Sequence, residues 1–175
     1  SLGDRPIDEN GDPVFGKQVT CDHFFCGEHD MVLDDERCGM VMLDRGTEFG
    51  AVYPAAGRDA DQVTDAYIDF AGKDDIDCLY SDGAHEYSKA ASRVGCAHDT
   101  ATPGISETNA IAERYVRFIV NKTRAALHKA AFPPSMWKPA AKHVAFANNL
   151  RTREDGTIPY ELRTKVKFKG HKVPF

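Results

Sequence analysis

The 175-residue chain has no apolar run approaching the roughly 20 residues that a bilayer span requires. Its acidic start, Ser1 to Asp12, lacks the basic-then-apolar order of a secretory leader. Both absences read as a soluble, intracellular protein with no membrane partner. Paired cysteine motifs are missing too. Cys21, Cys26, Cys38, Cys78 and Cys96 are odd in number and form no Cys-x-x-Cys framework, which argues for reduced thiols in a cytosolic or nuclear setting. There is no internal repeat, no low-complexity tract and no compact basic import signal. An initiating Met is also lacking, so we read the chain as a domain cut from a longer polypeptide.

What is present fits one globular domain: 42% of residues are apolar, enough for a sizeable core at this length. The net charge of −5 hides an asymmetry. Residues 1–100 carry 22 acidic and 8 basic side chains, whereas residues 101–175 carry 5 acidic and 14 basic. A basic half points to a polyanionic partner, and gathered carboxylates can hold cations, although an acidic surface also simply solubilises. Cys21, His23, Cys26 and His29 are of zinc-ligand type. Their spacing matches no usual finger, however, and Cys21 and His23 straddle Asp22 in a strand-like run, so we read them as buried thiols and surface histidines.

Three β-rich runs, Gln18 to Phe25, Gly39 to Leu43 and Glu48 to Tyr53, predict an antiparallel meander with a hairpin turn at Asp44-Arg45-Gly46-Thr47. From Asp59 to Phe70, apolar Val63, Ala66, Tyr67 and Phe70 share one helical face, with Asp59 and Gln62 spaced as a capping box and Gly72 as the stop. Ile76 to Tyr80 reads as a buried strand, Ala84 to Val94 as a helix and Cys96 to Thr100 as a further strand. The longest helix is expected from about Ser106 to Ala131, ended by Pro133-Pro134, and another from about Ser135 to Asn149. That order predicts an α/β fold: a ribonuclease H-like mixed sheet, three antiparallel strands and then parallel strands, with helices on both faces. We expect a lead over residues 1–17, a core over 18–162 and a basic C-terminal segment over 163–175.

Most of the 27 acidic residues must be solvated, so each candidate needs a structural reason. Asp22 sits inside a strand-like run, where an acid is disfavoured and costly if buried unpaired. A bound cation would compensate; the solvent face of an edge strand is the alternative. Asp82 follows a buried strand, at the end where open α/β sheets place their sites, but Ser81-Asp82-Gly83 is also ordinary turn chemistry. Glu113 lies in the first turns of the longest helix, which suits the macrodipole. At about 100° per residue, Asn109, Glu113, Arg117 and Arg124 share one face, while Ile111, Tyr115, Ile119 and Ala126 point elsewhere. A surface Glu113/Arg117 pair is the plainer reading of that face.

The segment Asn109-Ala110-Ile111-Ala112-Glu113-Arg114 resembles the Asn-Gly-Val-Ala-Glu-Arg motif of copia-type retrotransposon integrases, preceded as there by a Thr-x-x-Pro loop, here Thr100 to Pro103. Ser81-Asp82-Gly83-Ala84-His85-Glu86-Tyr87 looks like that family's Asp-Asn-Gly-Gly-Glu-Phe segment. Trp137 with Ala140 looks like its Trp-x-x-Ala helix, and Thr157 to Leu162 like its Thr-Pro-Tyr-Glu-Leu end. Four motifs in family order, over roughly residues 18–175, are more specific than any one of them. The sequence departs where Gly83 replaces an Asn, where Ala110 replaces a Gly, and in a shorter interval between Asp82 and Glu113.

The resemblance implies a DDE-type integrase catalytic core, with Asp22, Asp82 and Glu113 as catalytic metal ligands; Asp44, the other candidate for the first position, is kept as a turn residue. It implies two Mg²⁺ or Mn²⁺ ions, which would activate a water or a 3′-hydroxyl and stabilise the departing 3′-oxygen in 3′-end processing and strand transfer. DNA contacts would fall to Asn109, Arg114, Arg117 and Arg124. In an extended tail, alternating Arg163, Lys165, Lys167 and Lys169 would add a basic face, or guard an edge strand. A homo-oligomer acting on chromosomal DNA in the nucleus, made in the cytoplasm within a polyprotein, is the implied setting. Flanking modules are expected to be needed for full DNA handling. A degenerate DNA-binding domain and a ribonuclease H-like nuclease are the alternatives.

Overall fold

The computed structural model describes residues 5–25, 38–100 and 110–171. Strands β1 (Val19–Phe25), β2 (Cys38–Asp44) and β3 (Gly50–Ala55) form the antiparallel meander, followed by helix α1 (Ala60–Ala71), β4 (Cys78–Ser81), α2 (His85–Val94) and β5 (Ala97–Thr100). Then come α3 (Ala110–Lys129), a short 3₁₀ turn over Pro134–Met136, α4 (Trp137–Asn149) and α5 (Pro159–Thr164). The sheet order is β3-β2-β1-β4-β5, antiparallel across the first three strands and parallel across β1-β4-β5. The expected start of the longest helix at Ser106 lies outside the described residues. No helix among the described residues is long and apolar enough to cross a membrane.

Alternation along the central strands fills two cores, because successive side chains point to opposite sheet faces. Val19, Cys21, Met40 and Met42 pack with Val63, Tyr67 and Phe70 of α1 and Tyr87 and Ala90 of α2. Val41 and Val52 pack on the other face with Tyr115 and Ile119 of α3 and with Trp137, Ala140 and Val144 of α4. Gly50 lets α3 come close, since a Cβ there would stand 2.2 Å from the Tyr115 hydroxyl. Buried Asn149 accepts from the Gly50 N–H at 2.9 Å and donates to its carbonyl at 2.8 Å, fastening α4 to the edge strand.

Two expectations need correction in detail, the capping box and the tail. Asp59 caps α1 by accepting from the amides of Asp61 and Gln62, but the Gln62 side chain accepts from Gly57 N instead of closing the box. The strand β5 forms as expected and, at the sheet edge, is largely exposed. The tail is not the extended basic face: Pro159 starts α5 at a position where its missing N–H costs nothing, and Lys165 ends it with φ 57°. Arg163 turns inward, pairing with Asp74, donating to the Ala71 carbonyl at 2.7 Å and lying 3.7 Å over the Phe15 ring. The face expected from alternation therefore loses its first cation to the body of the fold.

The β2–β3 turn is organised by Asp44, fully buried, whose carboxylate accepts from Gly16 N at 2.9 Å and from Thr47 N and Oγ1, each at 2.7 Å. These bonds engage both oxygens, which keeps Asp44 apart from the acidic candidates. Asp44→Ala, which strands three donors, is expected to cost about 3 kcal/mol in urea unfolding. Asp44→Asn should cost less, and a loss below about 0.5 kcal/mol for Ala would show that the turn does not depend on this carboxylate.

Candidate active site

The parallel seam builds the site. Val19 pairs with Leu79 and Thr20 with Tyr80, so two residues further along both strands Asp22 stands level with Asp82. Val19 and Cys21 enter the core under α1 and α2, whereas Phe24 packs on Trp137 with ring centroids 5.8 Å apart. By alternation Asp22 shares the Phe24 face, the face covered by α3, whose first turn carries Glu113.

Of the three acids, Asp22 feels the other two. Burial pushes the half-buried Asp22 carboxyl above the usual carboxylate range. A hydrogen bond from its neighbour's amide, His23 N to Oδ1 at 2.8 Å, opposes that shift, and the negative charges of Asp82 and Glu113 add to it. Glu113 itself is exposed. Asp82 accepts from Ala84 N at 3.3 Å and pairs through its other oxygen with Arg58 Nη2 at 3.5 Å. Arg58 also pairs with Glu86 through Nε at 2.8 Å.

Three hard oxygen donors around a carboxylate destabilised by negative neighbours are the chemistry of a divalent-cation site, since a cation reverses each of those penalties. The donors fit in kind. They are not drawn into contact: among the described residues no three His, Cys, Asp or Glu side chains stand close enough to hold a metal ion. The cation paired with Asp82 is Arg58.

The other expected residues divide by position. Arg114, Arg117 and Arg124 are exposed along α3, with Arg114 Nε donating to the Ala110 carbonyl at 3.0 Å. Arg124 stands at an apolar cavity of about 330 Å³ that Phe24, Leu127 and Trp137 also line. Asn109, like Cys26 and His29, lies outside the described residues. Cys21 is fully buried with its thiol pushed well up by desolvation, as expected of a core thiol. His23, read as a surface histidine, is half-buried instead and hydrogen-bonded through Nδ1 to the Tyr87 hydroxyl. Burial, with Arg58 adding to it, lowers its pKa to about 4. Arg58 and its bond to Glu86 were not legible in the sequence; the only signal was a cation just before the Asp59 cap, at the helix end that disfavours cations.

An acid whose folded-state pKa is raised holds more protons in the native than in the unfolded state between its usual and raised values. Stability therefore falls as pH rises through that window and stays lower above it. Asp22→Asn removes the penalty, so the variant should melt at a higher temperature than the wild type at pH 7, with the gain shrinking as pH approaches the usual carboxylate range. A variant less stable at pH 7 would show that Asp22 is satisfied by contacts that its neutral analogue cannot make.

No family model matches the chain. A stretch of 66 residues, 38% of the chain, is 33% identical to the retrovirus-related Pol polyprotein from transposon TNT 1-94 of Nicotiana tabacum and spans 5% of that polyprotein. Among solved structures, the chain is similar to the catalytic core domain of BIV integrase, with a TM-score of 0.60 and 16% identity, covering 86% of this chain and 95% of that one. The HTLV-2 integrase catalytic core domain in complex with magnesium, in its trimeric form, gives a TM-score of 0.63 at 14% identity over 86% of this chain and 98% of that one. Its dimeric form gives 0.63 at 13% identity over 85% and 97%. At such identities the structures establish the fold, the ribonuclease H-like mixed sheet of integrase cores. The chain thus combines the fold of integrase catalytic cores with a 66-residue likeness to a transposon Pol polyprotein, of which it spans a small part.

Proposed function

We propose that this domain is a metal-dependent polynucleotidyl transferase that joins retroelement DNA to a target duplex by 3′-end processing and strand transfer. The observation that carries this reading is the placement of Asp22, Asp82 and Glu113: two carboxylates level at neighbouring parallel strands, and a third in the first turn of the helix that covers them. Asp22, Asp82 and Glu113 would hold two divalent ions, Mg²⁺ or Mn²⁺, which when bound supply activation of the attacking hydroxyl or water and neutralisation of charge at the scissile phosphate. The middle of β1 holds Asp22 in a half-buried setting, while the exposed Glu113 stands on the solvent side, open to a DNA strand. Arg114 and Arg117, exposed on the turns next to Glu113, suit phosphate contacts that hold the strand in register, with Arg124 further along α3 and Asn109 beside its start.

The domain acts in this reading as a homo-oligomer on chromosomal DNA in the nucleus, released from a polyprotein made in the cytoplasm. The magnesium-bound HTLV-2 core, described in dimeric and trimeric forms, supports the metal and the oligomer at the level of the family. One observation favours a second reading, a DNA-binding integrase-like domain without chemistry: the three carboxylates are not closed into one cluster among the described residues.

A joining assay separates the two. With a donor 3′-hydroxyl end, a target duplex and Mg²⁺, Glu113→Gln should reduce joined product about 100-fold or more, since even outer-shell changes at metal sites cost 10–100-fold. Equal joining by wild type and variant removes Glu113 from the mechanism. Retained DNA binding with no joining by either protein, flanking modules restored, favours the non-catalytic reading, and Mg²⁺-dependent cutting without joined product indicates a nuclease. Arg117→Ala should weaken DNA binding uniformly across sequences and reduce the slope of its salt dependence, measured by titration at several ionic strengths.

A further inference from the structure

We infer that Arg58 is the resident counter-cation of the carboxylate site, and that a divalent ion binds there in exchange for it: Asp82 passes from the guanidinium to the ion while Glu86 retains Arg58. This rests on the proposed metal site and adds how its occupancy is controlled.

Arg58 sits between Gly57 and the Asp59 cap of α1, so its backbone is anchored by a helix start. Its side chain reaches two acids at once, Glu86 through Nε at 2.8 Å and Asp82 through Nη2 at 3.5 Å, and the guanidinium lies 5.9 Å from the Phe25 ring centroid. Helix stability does not account for a cation here, because the positive end of the α1 dipole disfavours one. The two bonds are unequal. Glu86, in the first turn of α2, is the shorter and less exposed partner, at 19% side-chain exposure against 43% for Asp82. The longer contact is the one that yields first, and yielding it leaves Arg58 charge-paired.

The exchange also accounts for the open arrangement of the acids. Asp82 offers one oxygen to Ala84 N and the other to Arg58, so both are engaged away from a shared ion. Trading the guanidinium for a cation of higher charge, shared with Asp22, satisfies both aspartates, whereas Arg58 satisfies one. A positive charge stands beside Asp82 throughout, which offsets the repulsion it would otherwise feel from the other acids. The planar fork of arginine suits this spanning role, and a lysine ammonium on the same stem would not hold both carboxylates in one plane.

The test is calorimetric titration of the 175-residue chain with Mn²⁺ at low ionic strength, in wild type, Arg58→Ala, Arg58→Lys and Asp82→Asn, with thermal unfolding of each variant to verify folding. Removing a competing, partly exposed ion pair should lower the Mn²⁺ dissociation constant of Arg58→Ala about two- to fivefold. Arg58→Lys should fall between wild type and Arg58→Ala, and Asp82→Asn should bind weakly or not at all. In the wild type, Mg²⁺ should also shift the Arg58 side-chain ¹⁵N resonance without losing its protection, because the Glu86 bond persists. Affinity in Arg58→Ala equal to or weaker than wild type, with Asp82→Asn still impaired, overturns the exchange and leaves the metal site standing. Absence of Mn²⁺ binding in wild type and Arg58→Ala alike overturns the metal site, and the exchange with it.

Discussion

The parallel pairing of β1 with β4 is the constraint on which the rest of the molecule turns. Two short stretches of chain, separated by a hairpin and a helix, must meet in one register: Val19 opposite Leu79, Thr20 opposite Tyr80. A slip by one residue would send Asp22 to the other side of the sheet and Cys21 into its place, since strand side chains alternate. The register is held by burial on both faces. Val19, Cys21 and Leu79 are fully enclosed on the α1–α2 side, and Thr20 and Tyr80 are enclosed on the other. The same register makes the helices' positions consequential, because α1 delivers Arg58 to one side of the strand ends and α3 delivers Glu113 to the other.

The acidic site sits at odds with the fold that carries it. A half-buried carboxylate facing two others is a penalty in the absence of cations, visible as the upward displacement of Asp22. Elsewhere the protein treats buried acids differently. Asp44 is also desolvated, yet three hydrogen bonds oppose the shift and tie it to a turn. Two aspartates on neighbouring strands thus show contrasting solutions, the buried Asp44 satisfied by Gly16 and Thr47 and the half-buried Asp22 left with a single neighbouring amide and nearby negative charge. Arg58 moderates the second case from a distance, through Asp82.

Much of this architecture was legible in the sequence, for identifiable reasons. The helix α1 carries its apolar residues on one face between a capping aspartate and a glycine stop, and every one of Val63, Ala66, Tyr67 and Phe70 is buried. Asp22 stood out because an acid within Val19 to Phe25 contradicts the run around it. Longer-range chemistry was not legible. Nothing local marks Arg58 as a partner of Asp82 and Glu86, and nothing in Asn148-Asn149 indicates that one amide would clasp a glycine 99 positions away. The tail misled for a physical reason: alternation of basic and apolar residues mimics a strand, but Pro159 and the aromatic contacts of Phe168 with Tyr160 and Phe146 fold it back.

The Asn149 clasp on Gly50 has a bearing on how copies of the chain behave together. β3 is the outer strand of the sheet on the meander side, and an exposed outer strand invites another chain to zip onto it through its unpaired amides and carbonyls. Asn149 takes both hydrogen-bonding groups of Gly50, and α4 packs along the strand behind it. A side-chain amide thereby does the work of a neighbouring strand at the first residue of β3. At that end of the strand, the backbone groups that another chain would need are already taken.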